Sequence, residues 1–369
     1  MSALQKTLDS HVERGTVPGV VAALGYADGR LEVASAGDLA VDSVVRVQSM
    51  TKAVVTVATL RLVERGRLDL DDPVQRWLPE LCDRHVLRSP GADLSDVAPA
   101  QRPITVRHLL TNTSGYGMAL EPSPLQDAMR RTRTEAGAGP VELAADAWVA
   151  ALAELPLAFE PGSGWRYHHG FGLLGVLLSR LVASPLDEYL AADLFAPLGM
   201  LDTGFVVPAS EAHRLPAAYR RREDRTFQQL EPAGEGFYVA PAPFDVSHAE
   251  LVSTVTDYAA FARMLAAGGA HEGQQIVHPS LLRQMVGDQV LAAAKTPESF
   301  FPGFWEGTGW GYGVAVQTSG PHRGRYGWSG GLGTDFFVDP DGSFGIVMAQ
   351  VEMDAEIFGL LGDVMGLLD

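Results

Sequence analysis

Ser49 and Lys52 stand three residues apart in RVQSMTKAVVTVATLRLVERG, residues 46–66, a stretch that otherwise reads as one apolar, buried helix. Residues three apart on a helix share a face, one turn from each other. A serine hydroxyl is a weak nucleophile at neutral pH and needs a base. A lysine against a low-dielectric wall loses its proton more readily and can be that base. The start of a helix adds N–H groups and partial positive charge, which suit an oxyanion. The plainer reading makes Ser49 an N-cap and Lys52 a solvated first-turn residue, although the helix dipole disfavours lysine there. S-x-x-K is too short to decide between them.

Two further stretches bear on the choice. FEPGSGWRYHHGFGLLGVLLSRL (159–181) puts Tyr167 in a turn before a strongly apolar helix, and YGWSGGLGTDFFVDP (326–340) is a glycine-rich strand edge. S-x-x-K, then a tyrosine after P-G-x-x-W-x-Y, then a glycine-rich strand near the end of the chain resembles the penicillin-recognising serine hydrolases. The closer resemblance is to the class C β-lactamase-like branch, including the family VIII carboxylesterases. Connecting segments agree, among them GRLDLDDPVQRWLPEL, ITVRHLLTNTSGYG, LFAPLGMLDTGFVVP and ELVSTVTDYAAFARMLAAGG. The resemblance covers about residues 10–350.

The resemblance implies a role for each matching residue. Ser49 is the acylated nucleophile, Lys52 the amine that activates it, and Tyr167 the phenol that exchanges a proton with that lysine. The oxyanion hole would be the backbone N–H groups of Ser49 and Gly331. Substrate would be bound by His169, Trp328, Ser329 and Gly330. No cofactor and no metal are implied. Three positions depart from the family pattern. His169 replaces an asparagine, bringing an imidazole that titrates near neutrality. Trp328-Ser329-Gly330 replaces a triplet that begins with lysine or histidine. SHAE (247–250) replaces a glycine-rich loop. A cation in the third motif fixes a substrate carboxylate, which an indole cannot do. The expectation is therefore a carboxylesterase acting on small uncharged esters through a Ser49 acyl-enzyme. The alternatives are an acyltransferase, a weak β-lactamase or D-amino-acid peptidase, and a binding or sensing module on the same scaffold.

Other motifs compete less well. GWSGG (327–331) matches the G-x-S-x-G elbow of α/β-hydrolases, with Ser329 as nucleophile, but that fold needs a histidine after the serine and the last one is His322. His271-Glu272 lacks the second histidine of a zinc motif. His168 reads as a packing or solvent-facing neighbour, and Arg220-Arg221-Arg222 as a solvated loop. Trp305, Trp310 and Trp328 are candidates for the cleft wall.

The elements that carry these residues follow from periodicity and turn signals. GVVAALGYADGRLEVASAG (19–37) is two apolar runs around Asp28-Gly29, a hairpin signal. Residues 325–350 carry two or three more strands with the turn DPDG, and a final helix closes the chain. Helical periodicity dominates from Ser49 to about Ala267, broken by Pro- and Gly-rich loops. Residues 120–140 are the most loop-like part and read as a surface excursion. Strands at both ends with helices between predict an α+β, β-lactamase-like fold. Its sheet domain would comprise 1–50 and 250–369, its mostly helical insertion 51–249, with the active site in the cleft between.

The chain of 369 residues is 46% hydrophobic and 20% charged, ample for a large core. Its net charge of −17 argues against nucleic acid and against anionic membrane surfaces. One cysteine, Cys82, allows no internal disulfide. No run of 18 or more apolar residues and no apolar leader is apparent, so the expectation is a soluble, cytoplasmic enzyme with a small-molecule substrate.

Overall fold

The computed structural model describes residues 1–118, 120–137 and 141–368. A seven-stranded antiparallel sheet runs in the order Thr308–Trp310, Ala315–Gln317, Tyr326–Gly330, Thr334–Val338, Phe344–Met348, Gly19–Gly25 and Leu31–Gly37. Both ends of the chain thus build one sheet, joined where Val21 faces Met348 and Ala23 faces Ile346. The Asp28-Gly29 turn closes the first hairpin, with Gly29 at φ 88°, a conformation open to glycine at little cost.

Strand Gly19–Gly25 is buried along its whole length, and alternation sends its side chains to both faces. Val20, Ala22 and Leu24 join Leu4, Leu8, Ile357, Leu360 and Val364, the apolar stripes of the terminal helices Ala3–Glu13 and Ala355–Met365. Val21 and Ala23 join the larger core on the opposite face, with Phe336, Ile346 and Met348. That core also takes in helices Thr51–Glu64, His169–Val182 and Val255–Ala266. Burial on this scale is the main favourable term in folding.

Two expectations change. Residues 120–137 are not simply a loop: Pro124–Arg131 is a helix capped by the Ser123 hydroxyl, and it buries Leu125, Ala128 and Met129. Residues 138–140 of that stretch lie outside the described residues. The triple-arginine run is a solvated face only in part, since Arg220 and Arg222 are exposed and Arg221 is not. Arg220 pairs with Glu352, and the nearly buried Arg221 pairs with Asp354 and bonds the Gly15 carbonyl. These bonds tie the hairpin Ala218–Arg221/Phe227–Glu231 to the segment that starts the last helix. Among the described residues, no single helix is long and apolar enough to cross a membrane.

Candidate active site

The stretch around Ser49 is not one continuous helix. Val45–Arg46 is a short strand paired with Val252–Ser253, Gln48–Met50 is a 3₁₀ turn, and the α-helix starts at Thr51. Gln48 sits at φ 52°, the left-handed region that non-glycine residues enter at a cost of roughly 1 kcal/mol or more. Its neighbours hold it there. Thr51 Oγ1 donates to the Gln48 carbonyl at 2.6 Å, Gln48 Nε2 donates to Tyr238 OH at 3.0 Å, and Tyr258 OH donates to the Met50 carbonyl at 2.9 Å. Ser49 is therefore presented by a constrained turn and is not an N-cap. The helix behind it is buried on every side from Thr51 to Leu60.

Lys52 is fully buried, which excludes the solvated reading. Its Nζ lies 2.9 Å from Ser49 Oγ, donates to the His248 carbonyl, and sits 4.4 Å above the centre of the Tyr167 ring. Burial alone drives its pKa well below that of an ordinary lysine, which favours the uncharged amine. Tyr167 OH is hydrogen-bonded to Ser49 and accepts the Trp328 indole N–H at 2.6 Å. Burial pushes its pKa upward more strongly than these two bonds pull it down, so it rests as a phenol.

The sheet edge completes the site. Strand Tyr326–Gly330 passes so close to the serine turn that a Cβ on Gly330 would lie 2.4 Å from the Val47 carbonyl and 2.2 Å from Thr334 Oγ1. Only glycine fits there. Gly331 is exposed, and a Cβ on it would meet only Gln48 Oε1, 3.8 Å away. Trp328 belongs to an aromatic cluster around Tyr167 that includes Trp165, Phe300, Phe304, Trp305 and Trp310. Trp305 and Trp328 are half-buried, whereas Trp310 is fully buried and supports Trp328 edge-on at 4.7 Å.

Ser49, Lys52, Tyr167, Trp328 and Gly330 are thus brought together. Ser329 points elsewhere: its Oγ donates to Asp335 Oδ1 at 2.6 Å across the hairpin, with no histidine as partner. Burial raises the Asp335 carboxyl to about 7, against the Ser329 bond and Arg325. The strand–turn–strand context also excludes a nucleophile elbow.

His169 needs correction. It is buried, bonds the Thr134 carbonyl through Nε2 at 2.6 Å and stacks on Trp148 at 6.1 Å. Burial lowers its pKa to about 4. The imidazoles on which the Lys52 charge acts are instead His168 and His248. The available sequence signals were the doubled histidine after Tyr167 and the SHAE departure, but which imidazole turns toward Lys52 depends on backbone torsion. Among the described residues, no group of three or more His, Cys, Asp or Glu could hold a metal ion.

The sequence model of the β-lactamase family matches residues 4–353. The chain belongs to the β-lactamase family. Family members are serine hydrolases, and this chain is a serine hydrolase of that family. It is 36% identical over 312 residues to an uncharacterized protein of Mycobacterium tuberculosis, covering 81% of this chain and 75% of that one. It is 32% identical over 324 residues to esterase EstB of Burkholderia gladioli, covering 81% and 74%. Its fold is that of EstCE1, a hydrolase with promiscuous acyltransferase activity, at a TM-score of 0.80 and 24% identity over 99% and 97% of the two chains. It is also that of the simvastatin synthase LovD of Aspergillus terreus, at 0.79 and 21% over 99% and 97%.

Proposed function

We propose that the chain is a carboxylesterase that acts on small uncharged esters through an acyl-enzyme on Ser49. The observation that carries this reading is the buried contact of Lys52 Nζ with Ser49 Oγ at 2.9 Å, with Tyr167 OH bonded to the same hydroxyl. The directions of the two pKa shifts assign the roles. Lys52, whose pKa burial lowers, takes the Ser49 proton as Oγ attacks the ester carbonyl. The developing oxyanion is held by the backbone N–H groups of Ser49 and Gly331, a term typically worth ~10²–10³ in rate. Tyr167, a phenol, protonates the departing alkoxide and is reprotonated through Lys52. Water then attacks the acyl-enzyme by the same route in reverse. The cleft would lie between the sheet domain (1–50 and 250–369) and the helical insertion (51–249).

Trp328 supports the choice of substrate. Where a cation would fix a carboxylate, the indole N–H is already committed to Tyr167 OH and the ring offers an apolar wall. The 32% identity to esterase EstB points the same way. A second reading, transfer of the acyl group to an alcohol, is favoured by the same aromatic wall, which would shield the ester from water and seat an apolar acceptor. Adding alcohols of increasing size during hydrolysis of a p-nitrophenyl ester separates the two, since only a transferase partitions toward the new ester.

The deciding experiment is labelling with a fluorophosphonate probe followed by peptide mass spectrometry. The expected adduct is on Ser49, and Ser49→Ala abolishes ester hydrolysis. An adduct on Ser329, or full activity in Ser49→Ala, ends this reading. A neutral p-nitrophenyl ester is expected to be turned over far faster than a cephalosporin, and comparable specificity constants would defeat the argument from Trp328.

A further inference from the structure

An alcohol that leaves by taking the Tyr167 proton must sit beside the Tyr167 hydroxyl. What surrounds that hydroxyl therefore limits which alcohols fit. One wall is Trp328, whose indole N–H is bonded to it. Another is Phe300. Its ring centre lies 5.3 Å from that of Tyr167, 5.2 Å from Trp165, 6.1 Å from Trp328 and 4.8 Å from Phe304.

Phe300 reaches this place from a loop pinned at both ends to the edge of the large sheet. At its start, Asp288 Oδ1 accepts the Trp310 N–H at 3.2 Å, and the Gln289 N–H donates to the Trp310 carbonyl at 2.8 Å. At its end, the Gly307 carbonyl accepts the Thr318 N–H at 2.8 Å. Between these anchors the hold is different. Among the described residues, every hydrogen bond of residues 296–306 stays inside that segment. The Ser299 hydroxyl, for example, donates to the Thr296 carbonyl and accepts the Trp305 indole N–H at 2.8 Å. The segment is attached to Trp165, Tyr167 and Trp328 through the rings of Phe300, Phe304 and Trp305.

Two adjacent phenylalanines point opposite ways. The backbone at Phe300 is extended, with φ −152° and ψ −156°, so successive side chains diverge. Phe301 is 61% exposed and Phe300 only 6%. The buried ring lies among aromatic neighbours, so shortening it would leave an apolar space the size of a ring. Such a space binds apolar rings.

We propose that Phe300 fills the place where the substituent of a larger alcohol would lie, and so sets the size of the alcohol that the enzyme releases. This rests on the Ser49 acyl-enzyme reading. In that reading the bond from Oγ to the acyl carbon forms, the ester C–O bond breaks, and the alkoxide takes the Tyr167 proton. The acyl group stays on Ser49, so the limit acts on the alcohol and not on the acyl chain. A p-nitrophenolate departs without a proton and escapes it. Phe300 is a specificity-determining residue for unactivated alkyl esters.

The test uses butyrate esters of methanol, ethanol, cyclohexanol and benzyl alcohol. All give one and the same acyl-enzyme, so differences in kcat/KM between them arise as the alcohol leaves. The wild type is expected to take the cyclohexyl and benzyl esters roughly 10²-fold less well than the ethyl ester. Phe300→Ala should raise the benzyl-to-ethyl ratio by about tenfold or more, and Phe300→Leu by less. The leucine variant keeps an apolar side chain and carries the test if the alanine variant fails to fold. Ethyl esters from acetate to octanoate form the second series, and their relative rates should be the same in Phe300→Leu as in the wild type. Phe301→Ala should leave both series unchanged. A benzyl-to-ethyl ratio that stays constant in both Phe300 variants, an equal shift in the acyl series, or an equal gain in Phe301→Ala would overturn the proposal. Fluorophosphonate labelling of the wild type is run alongside. Absence of an adduct on Ser49 would overturn the acyl-enzyme reading and this proposal with it, whereas labelling with an unchanged ratio in the Phe300 variants defeats the proposal alone.

Discussion

Lys52 and Tyr167 both bond the same serine hydroxyl, and neither is useful without the other. Lys52→Ala leaves Ser49 without a base, and Tyr167→Phe leaves the alkoxide without a proton. Each is expected to lower kcat by several orders of magnitude with the fold intact. The double variant should lose little more than either alone, because residues acting as one unit are strongly non-additive. Additive losses in the double-mutant cycle would show that only one belongs to the mechanism. Trp328→Phe keeps the wall but removes the N–H that Tyr167 OH accepts at 2.6 Å, so a fall in kcat of roughly tenfold is expected, about 1.4 kcal/mol. Much of this scale was legible in the sequence, since S-x-x-K, the tyrosine turn and the Trp-Ser-Gly edge all lie at the site. What was not legible was orientation. His168 and His169 are adjacent, and the left-handed torsion at His168 sends one imidazole to Lys52 and the other to the Thr134 carbonyl. With its pKa lowered by burial to about 4, His169 does not titrate near neutrality as a free imidazole would. His169→Asn should leave the pH profile of kcat near neutrality unchanged.

At the scale of elements, the helix after Tyr167 is shaped by its glycines. Gly172 and Gly175 form a bare face against His248 and Ser247, while Gly170, on another side of the helix, lets the Leu109 backbone approach. A Cβ at position 175 would lie 2.1 Å from Ser247 Oγ, which is buried and donates to the Phe171 carbonyl. Ser247 cannot turn aside without losing that bond. The segment that carries His248 must move, and with it the carbonyl on Lys52. Gly175→Ala should therefore destabilise the protein by about 1–3 kcal/mol in urea denaturation and also lower kcat. Gly362→Ala is the contrast: that position is exposed in the last helix with nothing within 4 Å, and alanine there should stabilise by up to about 1 kcal/mol without touching activity. The periodicity that identified the long apolar helices did not identify Pro124–Arg131. Eight residues with one buried stripe, set among prolines and arginines, give too few turns for the pattern to stand out.

At the scale of the whole molecule, the sheet shared by both chain ends was legible because each end carried alternating strands around recognisable turns. Its register was not, because pairing partners more than 300 residues apart are chosen by the assembled core. The same core buries titratable groups of both signs of shift, and this sets a pH dependence of stability. Burial raises Glu250 from 4.5 to about 8 and Asp335 from 3.8 to about 7. For these carboxyls the folded chain holds protons that the unfolded chain releases, so their favourable contribution is complete below the unfolded value and lost as pH rises through the folded one. Burial lowers His108 and His169 from 6.5 to about 4, and His168 and His248 also move well down. For these the unfolded chain binds the protons, so their contribution is present above 6.5 and lost as pH falls below it. The two sets squeeze the folded state from opposite sides, and the melting temperature should peak between them. Glu250 isolates the alkaline side, since one of its carboxylate oxygens is buried without a hydrogen-bond partner. Glu250→Gln replaces an acid that is neutral at low pH by an amide that is neutral at every pH. The variant should match the wild type near pH 4.5, melt progressively higher than it as pH rises toward about 8, and run parallel to it above that. A difference in melting temperature that does not change across this range would mean that Glu250 is not protonated in the folded enzyme.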